Sequence, residues 1–172
     1  MFEIRGETAM KTLLLLRHAK SDWENASLRD FDRPLAARGE RDAPRIGKEL
    51  RKRGPVPDLI ISSPAARAKA TIEAVAKAAK LNPEIRFEEV VYGASSPELI
   101  KLIRGLPDQK ACVLLVGHNP GFEDVCGRLT GSQQRMPTAA LAHIEFQIDR
   151  WEDVTDGDGK LRWLLTPKQL DH

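Results

Sequence analysis

Cysteine is scarce in this sequence, and its two cysteines form no recognisable motif. Cys112 and Cys126 lack the spacing of a thiol redox pair or of a zinc knuckle. A chain of 172 residues is long enough to bury a substantial core and needs no disulfide to stabilise it. We therefore expect both thiols to be reduced, and we predict a cytoplasmic location.

The sequence also lacks a strong net charge and long apolar runs. Lys and Arg total 27 against 25 Asp and Glu, a formal charge of +2, which gives no reason to expect a nucleic-acid partner. The longest apolar runs, residues 13–16 and 113–116, are far shorter than the roughly 20 residues that span a bilayer, so we predict no membrane segment.

The first ten residues lack the apolar centre of a signal peptide and carry Glu3, Arg5 and Glu7. We interpret residues 1–10 as a flexible extension and residues 11–172 as a single domain. No internal repeat or low-complexity linker divides the chain.

Short apolar runs alternate with amphipathic segments along the chain. Residues 11–16, 58–61 and 111–116 have the continuous apolar character of strands buried on both faces of a parallel sheet. Ser62 and Ser63, followed by Pro64, predict the capped start of a helix. Further elements are predicted as helices at 38–53, 64–80, from 96 and at 122–129, and strands at 86–92, 140–148 and 161–165. The pattern predicts an α/β three-layer sandwich, with a mostly parallel central sheet and helices on both faces.

Four basic side chains lie at the carboxyl ends of separate predicted strands. Arg17 and His18 follow the first strand, Arg67 lies in the first turn after the second, and His118 follows a later one. The ligand site of such a sheet lies beyond these strand ends, so the four side chains are expected to converge. A cluster of two arginines and two histidines is costly unless an anion binds there. Because the arginine fork matches phosphate oxygens, the pattern predicts a phosphoryl site.

These residues and their surroundings resemble the histidine phosphatase superfamily, which includes the cofactor-dependent phosphoglycerate mutases. Ala19 stands where that family more often has glycine, and Lys20 where it more often has glutamate. The resemblance covers roughly residues 11 to 167, and the joint pattern is much more specific than any one motif. The segments that carry it are residues 15–21 (LLRHAKS), Pro34-Leu35 with Arg38-Gly39, residues 62–71 (SSPAARAKAT) and residues 116–121 (VGHNPG).

The resemblance implies that His18 is a nucleophile that becomes phosphorylated, while Arg17, Arg67 and His118 hold the transferred oxygens. We also expect Ser21 and Asn119, from the first and last of these segments, to bind phosphate or substrate. No cofactor or metal is expected, because His118, His143 and His172 show no paired ligand spacing.

The acid that protonates the leaving group is not evident from the sequence. No carboxylate stands clearly in the family's usual place, which leaves several candidates or none. The segment between the second and third motifs, residues 81–110, is too short for the large insert that covers the site in the mutases. The candidates are Asp22, Glu88, Glu89, Glu123 and Asp124.

An uncovered site suits a phosphorylated protein, and the chain resembles the short protein-phosphohistidine phosphatases, which act in signalling. The P–N bond of phosphohistidine breaks readily once its imidazole is protonated, so it makes little demand on an acid. We therefore expect phosphohistidine in a protein as the substrate. The alternatives are a small phosphorylated metabolite or nucleotide and, in another class, a non-catalytic phosphate-binding or protein-interaction module.

Overall fold

A six-stranded sheet forms the centre of the protein. The structure, a computed structural model, describes residues 9–171. The strands are β1 (Lys11–Arg17), β2 (Leu59–Ser62), β3 (Glu84–Phe87), β4 (Cys112–Gly117), β5 (Leu141–Phe146) and β6 (Lys160–Leu165). They lie in the order β3-β2-β4-β1-β5-β6. The first four in this order are parallel to one another, and β5 and β6 are antiparallel to their neighbours.

Helices cover both faces of this sheet. Along β1, Leu13 and Leu15 belong to one buried cluster and Leu14 and Leu16 to the other, as the alternation of a strand requires. The helices are α1 (Ala37–Arg53), α2 (Ala66–Ala79), α3 (Ser96–Arg104) and α4 (Gly121–Thr130). The first cluster includes residues of α3 and α4, and the second includes residues of α1 and α2. The predicted three-layer α/β sandwich is confirmed.

Residues 1–8 of the predicted N-terminal extension lie outside the described residues. Ala9 and Met10 precede β1, and the backbone N–H of Ala9 donates to Asp149 Oδ1 at 3.1 Å. The division into an extension and a single domain stays a prediction.

The strand predicted at residues 86–92 is misplaced. The observed strand β3 ends at Phe87, and residues 89–91 form a 3-10 helix. The partner strand β2 ends at Ser62, whose carbonyl accepts the last cross-strand bond from the N–H of Glu88 at 3.0 Å. Beyond that point the apolar residues have no strand to pair with, so the chain turns.

The start of α2 is also different from the prediction. The helix begins at Ala66 with Ala65 at the N-cap, and no side chain caps it. Ser63 Oγ instead accepts from the N–H of Ala65 at 3.2 Å and contacts His118. The serine predicted as a helix cap therefore contacts His118, the residue that follows β4.

The chain between α2 and β4 is as short as predicted. Residues 80–111 contain only β3, the 3-10 helix at 89–91 and α3. Within residues 80–111, no large insert stands over the carboxyl ends of the parallel strands.

Candidate active site

Three adjacent strands bring the predicted basic residues together. β1 and β2 flank β4, and the register places Arg17 opposite Gly117 and Ser62 opposite Val116. Because all three strands are parallel, their carboxyl ends meet at one edge of the sheet. His18 and His118 each follow directly on their strands, and Arg67 is the second residue of α2.

The ring of His18 is held in one orientation. Its Nδ1 lies 2.7 Å from the carbonyl oxygen of Ala19, so Nδ1–H donates and Nε2 keeps its lone pair. The N–H of Ala19 in turn donates to Thr71 Oγ1 at 2.9 Å. This chain of contacts ties the end of β1 to α2 and points Nε2 towards Arg67.

The guanidinium of Arg67 lies between the two histidines. Its Nε is 3.4 Å from His18 Nε2, and one terminal nitrogen is 3.2 Å from His118 Nδ1. Both terminal nitrogens also contact Asp30: one donates to its carbonyl oxygen at 2.7 Å, the other to its carboxylate at 3.0 Å. A planar group with three nitrogens makes all of these contacts at once.

His118 has a matching set of partners on the other side. Its Nε2 lies 2.8 Å from Ser63 Oγ, and its Nδ1 faces the donor nitrogen of Arg67. The arrangement fits a neutral imidazole whose Nδ1 accepts from Arg67 and whose Nε2–H donates to Ser63. The rings of His18 and His118 are 5.1 Å apart between centroids, close enough for one phosphoryl group to contact both.

Arg17 and Asn119 line the cavity from the side of residue 136. Each donates to the carbonyl oxygen of Met136 at 3.0 Å, and Asn119 also contacts Glu123. The buried Nε of Arg17 and Oδ1 of Asn119 have no hydrogen-bond partner among residues 9–171. The cavity measures about 220 Å³ and is lined by Arg17, His18, Lys20, Ser21, Trp23, Arg67, His118, Asn119 and Thr138.

Both histidines are held in the neutral form. Burial, together with the charges of Arg67 and Arg17, lowers the pKa of His18 from 6.5 to about 4. Burial, with His18 and Arg67 close by, lowers the pKa of His118 to about 3. Burial also lowers the pKa of Arg17, although Glu123 opposes this effect. A neutral His18 keeps Nε2 unprotonated at physiological pH, as a nucleophile requires.

We expect the ring of His18 to titrate near pH 4 in the folded protein, and near pH 6.5 in the urea-unfolded chain. Below about pH 4, protonation of Nε2 in the folded protein removes the lone pair that attacks phosphorus. Between pH 5 and 8 the ring stays neutral, so the titration of His18 should not change kcat/KM in this range. NMR titration of the histidine rings measures this, with the His18→Ala variant identifying the signal. A folded-state midpoint near 6.5 would contradict the described burial of the ring.

Every predicted site residue except the acid is found at this cavity. His18, Arg17, Arg67 and His118 are brought together, and buried Ser21 lies in the wall with Asn119. Among the acid candidates, Glu88, Glu89 and Asp124 are exposed and absent from the cavity lining. Asp22 accepts from the N–H of Glu24, and Glu123 contacts Asn119.

Sequence reasoning missed the carboxylate that touches Arg67. Asp30 lies in the 3-10 helix Asp30–Asp32, in the connection between β1 and α1, and Tyr92 donates to it at 2.7 Å. The sequence predicts Ser63 only as a helix cap and includes Thr71 only as part of the second motif. Asp30 stands four residues before Pro34, within reach of a recognised motif, but nothing in its spacing indicates a contact with Arg67.

No group of three His, Cys, Asp or Glu residues within 9–171 is placed to hold a metal ion. None of the helices in that range is both long and apolar enough to cross a membrane.

Comparison with known proteins identifies the family. A model of the histidine phosphatase superfamily (branch 1) matches residues 13–99. An uncharacterised chloroplastic protein of Arabidopsis thaliana is 31% identical over 165 residues, which cover 90% of this chain and 75% of the relative. An uncharacterised protein of Mycobacterium tuberculosis is 30% identical over 164 residues, 89% of this chain and 100% of the relative. The chain belongs to the histidine phosphatase superfamily.

Similar solved structures indicate the subgroup within this superfamily. A protein of Agrobacterium tumefaciens assigned as the phosphohistidine phosphatase SixA is 31% identical, with a TM-score of 0.80 over 91% of this chain and 98% of that one. The protein histidine phosphatase SixA in complex with tungstate has a TM-score of 0.78 at 21% identity, over 93% of this chain and 99% of that one, and shows the shared fold. Within the superfamily, the chain belongs to the short, SixA-like subgroup and is a histidine phosphatase.

Proposed function

We propose that the protein removes the phosphoryl group from phosphohistidine in a protein substrate, with His18 as the nucleophile. The observation that carries this proposal is the geometry of His18. Its Nδ1–H donates to the Ala19 carbonyl, and its unprotonated Nε2 accepts from Arg67 Nε in a cavity also lined by Arg17 and His118.

The reaction proceeds in two displacements. His18 Nε2 attacks phosphorus, the P–N bond to the substrate imidazole breaks, and that imidazole takes a proton from water. Water then attacks the phosphorus on His18, the new P–N bond breaks, and inorganic phosphate leaves with His18 restored. Arg17 and Arg67 stabilise the charge that spreads over the transferred oxygens, and His118 donates its Nε2–H to one of them in place of Ser63. Ser21 and Asn119 add contacts in the cavity wall.

The carboxylates near the site support a substrate whose leaving group departs with little help. Asp30 contacts Arg67, but the hydroxyl of Tyr92 and then the Arg67 guanidinium hold the pKa of that carboxyl below its usual range. It is therefore ionised at neutral pH and is not a stored proton. Glu123 is engaged with Asn119. An alkoxide leaves poorly without a proton, whereas an imidazole is basic enough to take one from water.

We expect phosphohistidine in a protein to be hydrolysed at least about 100-fold faster in kcat/KM than a phosphoserine peptide or a sugar phosphate. A panel of the three substrates, with spontaneous hydrolysis subtracted, measures this. The variants Asp22→Asn, Glu88→Gln, Glu89→Gln, Glu123→Gln and Asp124→Asn should retain the wild-type preference. If monoesters are the better substrates and one amide variant loses most activity, that residue is the acid and the protein is a small-molecule phosphatase.

The class of the protein is tested separately by trapping the intermediate. Acid-labile, base-stable radiolabel on His18 after rapid quenching supports covalent catalysis. Phosphate binding with neither label nor turnover on any substrate would identify a non-catalytic module. The free, buried thiols of Cys112 and Cys126 fit the predicted cytoplasmic location.

We expect EDTA to leave kcat/KM unchanged within about twofold, because Arg17 and Arg67 supply the positive charge that a metal ion supplies in other phosphatases. The measurement compares activity before and after dialysis against EDTA, with metal content determined on the same sample. Loss of activity that one divalent ion restores would contradict this prediction.

A further inference from the structure

Asp30 and Tyr92 meet directly beside the Arg67 guanidinium. The carboxylate Oδ2 of Asp30 accepts from a terminal nitrogen of Arg67 at 3.0 Å and from the hydroxyl of Tyr92 at 2.7 Å. The carbonyl oxygen of Asp30 accepts from the other terminal nitrogen at 2.7 Å. Asp30 thus contacts both terminal nitrogens of the guanidinium, and Tyr92 holds the carboxylate in place.

The ring of Tyr92 connects this contact to the second histidine. It packs edge-on against His118, with 5.5 Å between centroids and an interplanar angle of 80°, and against Phe31 at 5.2 Å and 90°. Phe31 follows Asp30 in the same 3-10 helix. One tyrosine therefore fixes the connection between β1 and α1 to the chain that follows β3, and both to the site.

We propose that Asp30 and Tyr92 act together as positioning residues, which hold the Arg67 guanidinium in the plane where it contacts His18 and His118 simultaneously. This rests on the proposed function, in which Arg67 binds the transferred oxygens. An arginine side chain has many rotamers, and an arginine already ordered before substrate binds loses less entropy in the transition state. Neither residue touches the phosphoryl group in this proposal; both act through Arg67.

The alternative role for Asp30 is proton donation to the leaving group. Its ionised state argues against that role, because Tyr92 and Arg67 both stabilise the carboxylate form. The charged groups that act on His18 are Arg67 and Arg17, which lower its pKa, and Asp30, which raises it. Removing the charge of Asp30 should therefore lower the pKa of His18 further.

The test compares Asp30→Ala, Asp30→Asn, Tyr92→Phe and the Asp30→Ala/Tyr92→Phe double variant. Asp32→Asn is the matched control, because Asp32 lies in the same 3-10 helix and pairs with exposed Arg29. Two substrates are used: phosphohistidine protein and p-nitrophenyl phosphate, whose leaving group needs no acid. Circular dichroism melting confirms that each variant is folded, and Tyr92→Phe keeps the ring packing intact.

We expect Asp30→Ala to lower kcat/KM by about 10- to 100-fold on both substrates, in the range typical of residues that orient a directly acting group. Asp30→Asn should recover part of this loss, because an amide oxygen still accepts from Arg67. Tyr92→Phe should lower kcat/KM less than Asp30→Ala does. The double variant should have the same kcat/KM as Asp30→Ala, because the hydroxyl acts through the carboxylate. Asp32→Asn should match the wild type, and Asp30→Asn should lower the His18 titration midpoint.

Other outcomes overturn the proposal. If Asp30→Asn is as inactive as Asp30→Ala on phosphohistidine protein but normal on p-nitrophenyl phosphate, then Asp30 is the acid. Wild-type activity of Asp30→Ala on both substrates would remove any role. Should the protein not hydrolyse phosphohistidine at all, the proposed substrate fails. The positioning proposal is then decided by p-nitrophenyl phosphate turnover and by the affinity for orthovanadate measured with the same variants.

Discussion

The His18→Ala variant is expected to lose at least about 10⁴-fold in kcat on every substrate, because the substitution removes the atom that forms the covalent bond to phosphorus. The fold should survive. The lost ring makes two hydrogen bonds, to the carbonyl of the adjacent Ala19 and from Arg67 Nε, and lies at a strand end beside a cavity rather than within either apolar cluster. Steady-state kinetics and a thermal melt measure the two effects separately.

The matched control for this variant is His143→Ala. His143 is as buried as His18, lies on β5 and packs edge-on against Trp163 at 5.1 Å between centroids. It is absent from the cavity lining. His143→Ala should lower the melting temperature and leave kcat/KM of the folded fraction unchanged. A folded His18→Ala protein that still turns over at a near-normal rate would exclude the covalent mechanism.

The basic part of the site could be predicted because it follows from topology. A parallel strand that ends in a charged residue places that residue at one known edge of the sheet, whatever the details of packing. His18, Arg67 and His118 follow three strands that are neighbours in the sheet, β1, β2 and β4. Their convergence therefore needed only the identity of the strands and the parallel arrangement, both of which apolar periodicity indicates.

Motif residues that have no chemistry of their own also gain a physical reason from the structure. Gly39 belongs to one of the recognised segments and lies in the first turn of α1. A Cβ at this position would lie 2.3 Å from the carbonyl oxygen of Lys20. The close approach packs α1 against the loop that follows His18, so a larger residue would displace that loop. The sequence motif contains the glycine that this packing requires, but the sequence alone does not indicate the reason.

Asp30 and Tyr92 could not be predicted because their meeting depends on how two irregular segments pack. Neither residue lies in a strand or in an α-helix of the described chain. The strand at residues 86–92 was misplaced for a related reason, because its end depends on where the neighbouring strand β2 stops. Val90, Val91 and Tyr92 have strand-forming side chains, but pairing stops where β2 stops. The sequence therefore predicts Tyr92 in the sheet, whereas in the structure it lies beyond the end of β3 and contacts Asp30 and His118.

The Arg67→Lys variant is expected to lose about 100- to 1,000-fold in kcat/KM, close to the loss caused by Arg67→Ala, because charge alone does not reproduce the guanidinium. Arg67 uses three nitrogens to contact His18 Nε2, His118 Nδ1 and two oxygens of Asp30. A lysine ammonium is one nitrogen and cannot occupy these positions together. Comparison of the two variants with wild type, on phosphohistidine protein and p-nitrophenyl phosphate, measures the effect.

Arg128→Lys is the matched control. Arg128 contacts Asp156 on the surface through two nitrogens and is absent from the cavity lining. The kcat/KM of Arg128→Lys should therefore equal that of the wild type. If lysine restores nearly all the activity that alanine removes, Arg67 acts as a diffuse charge, and the role proposed for its guanidinium in binding the transferred oxygens is wrong.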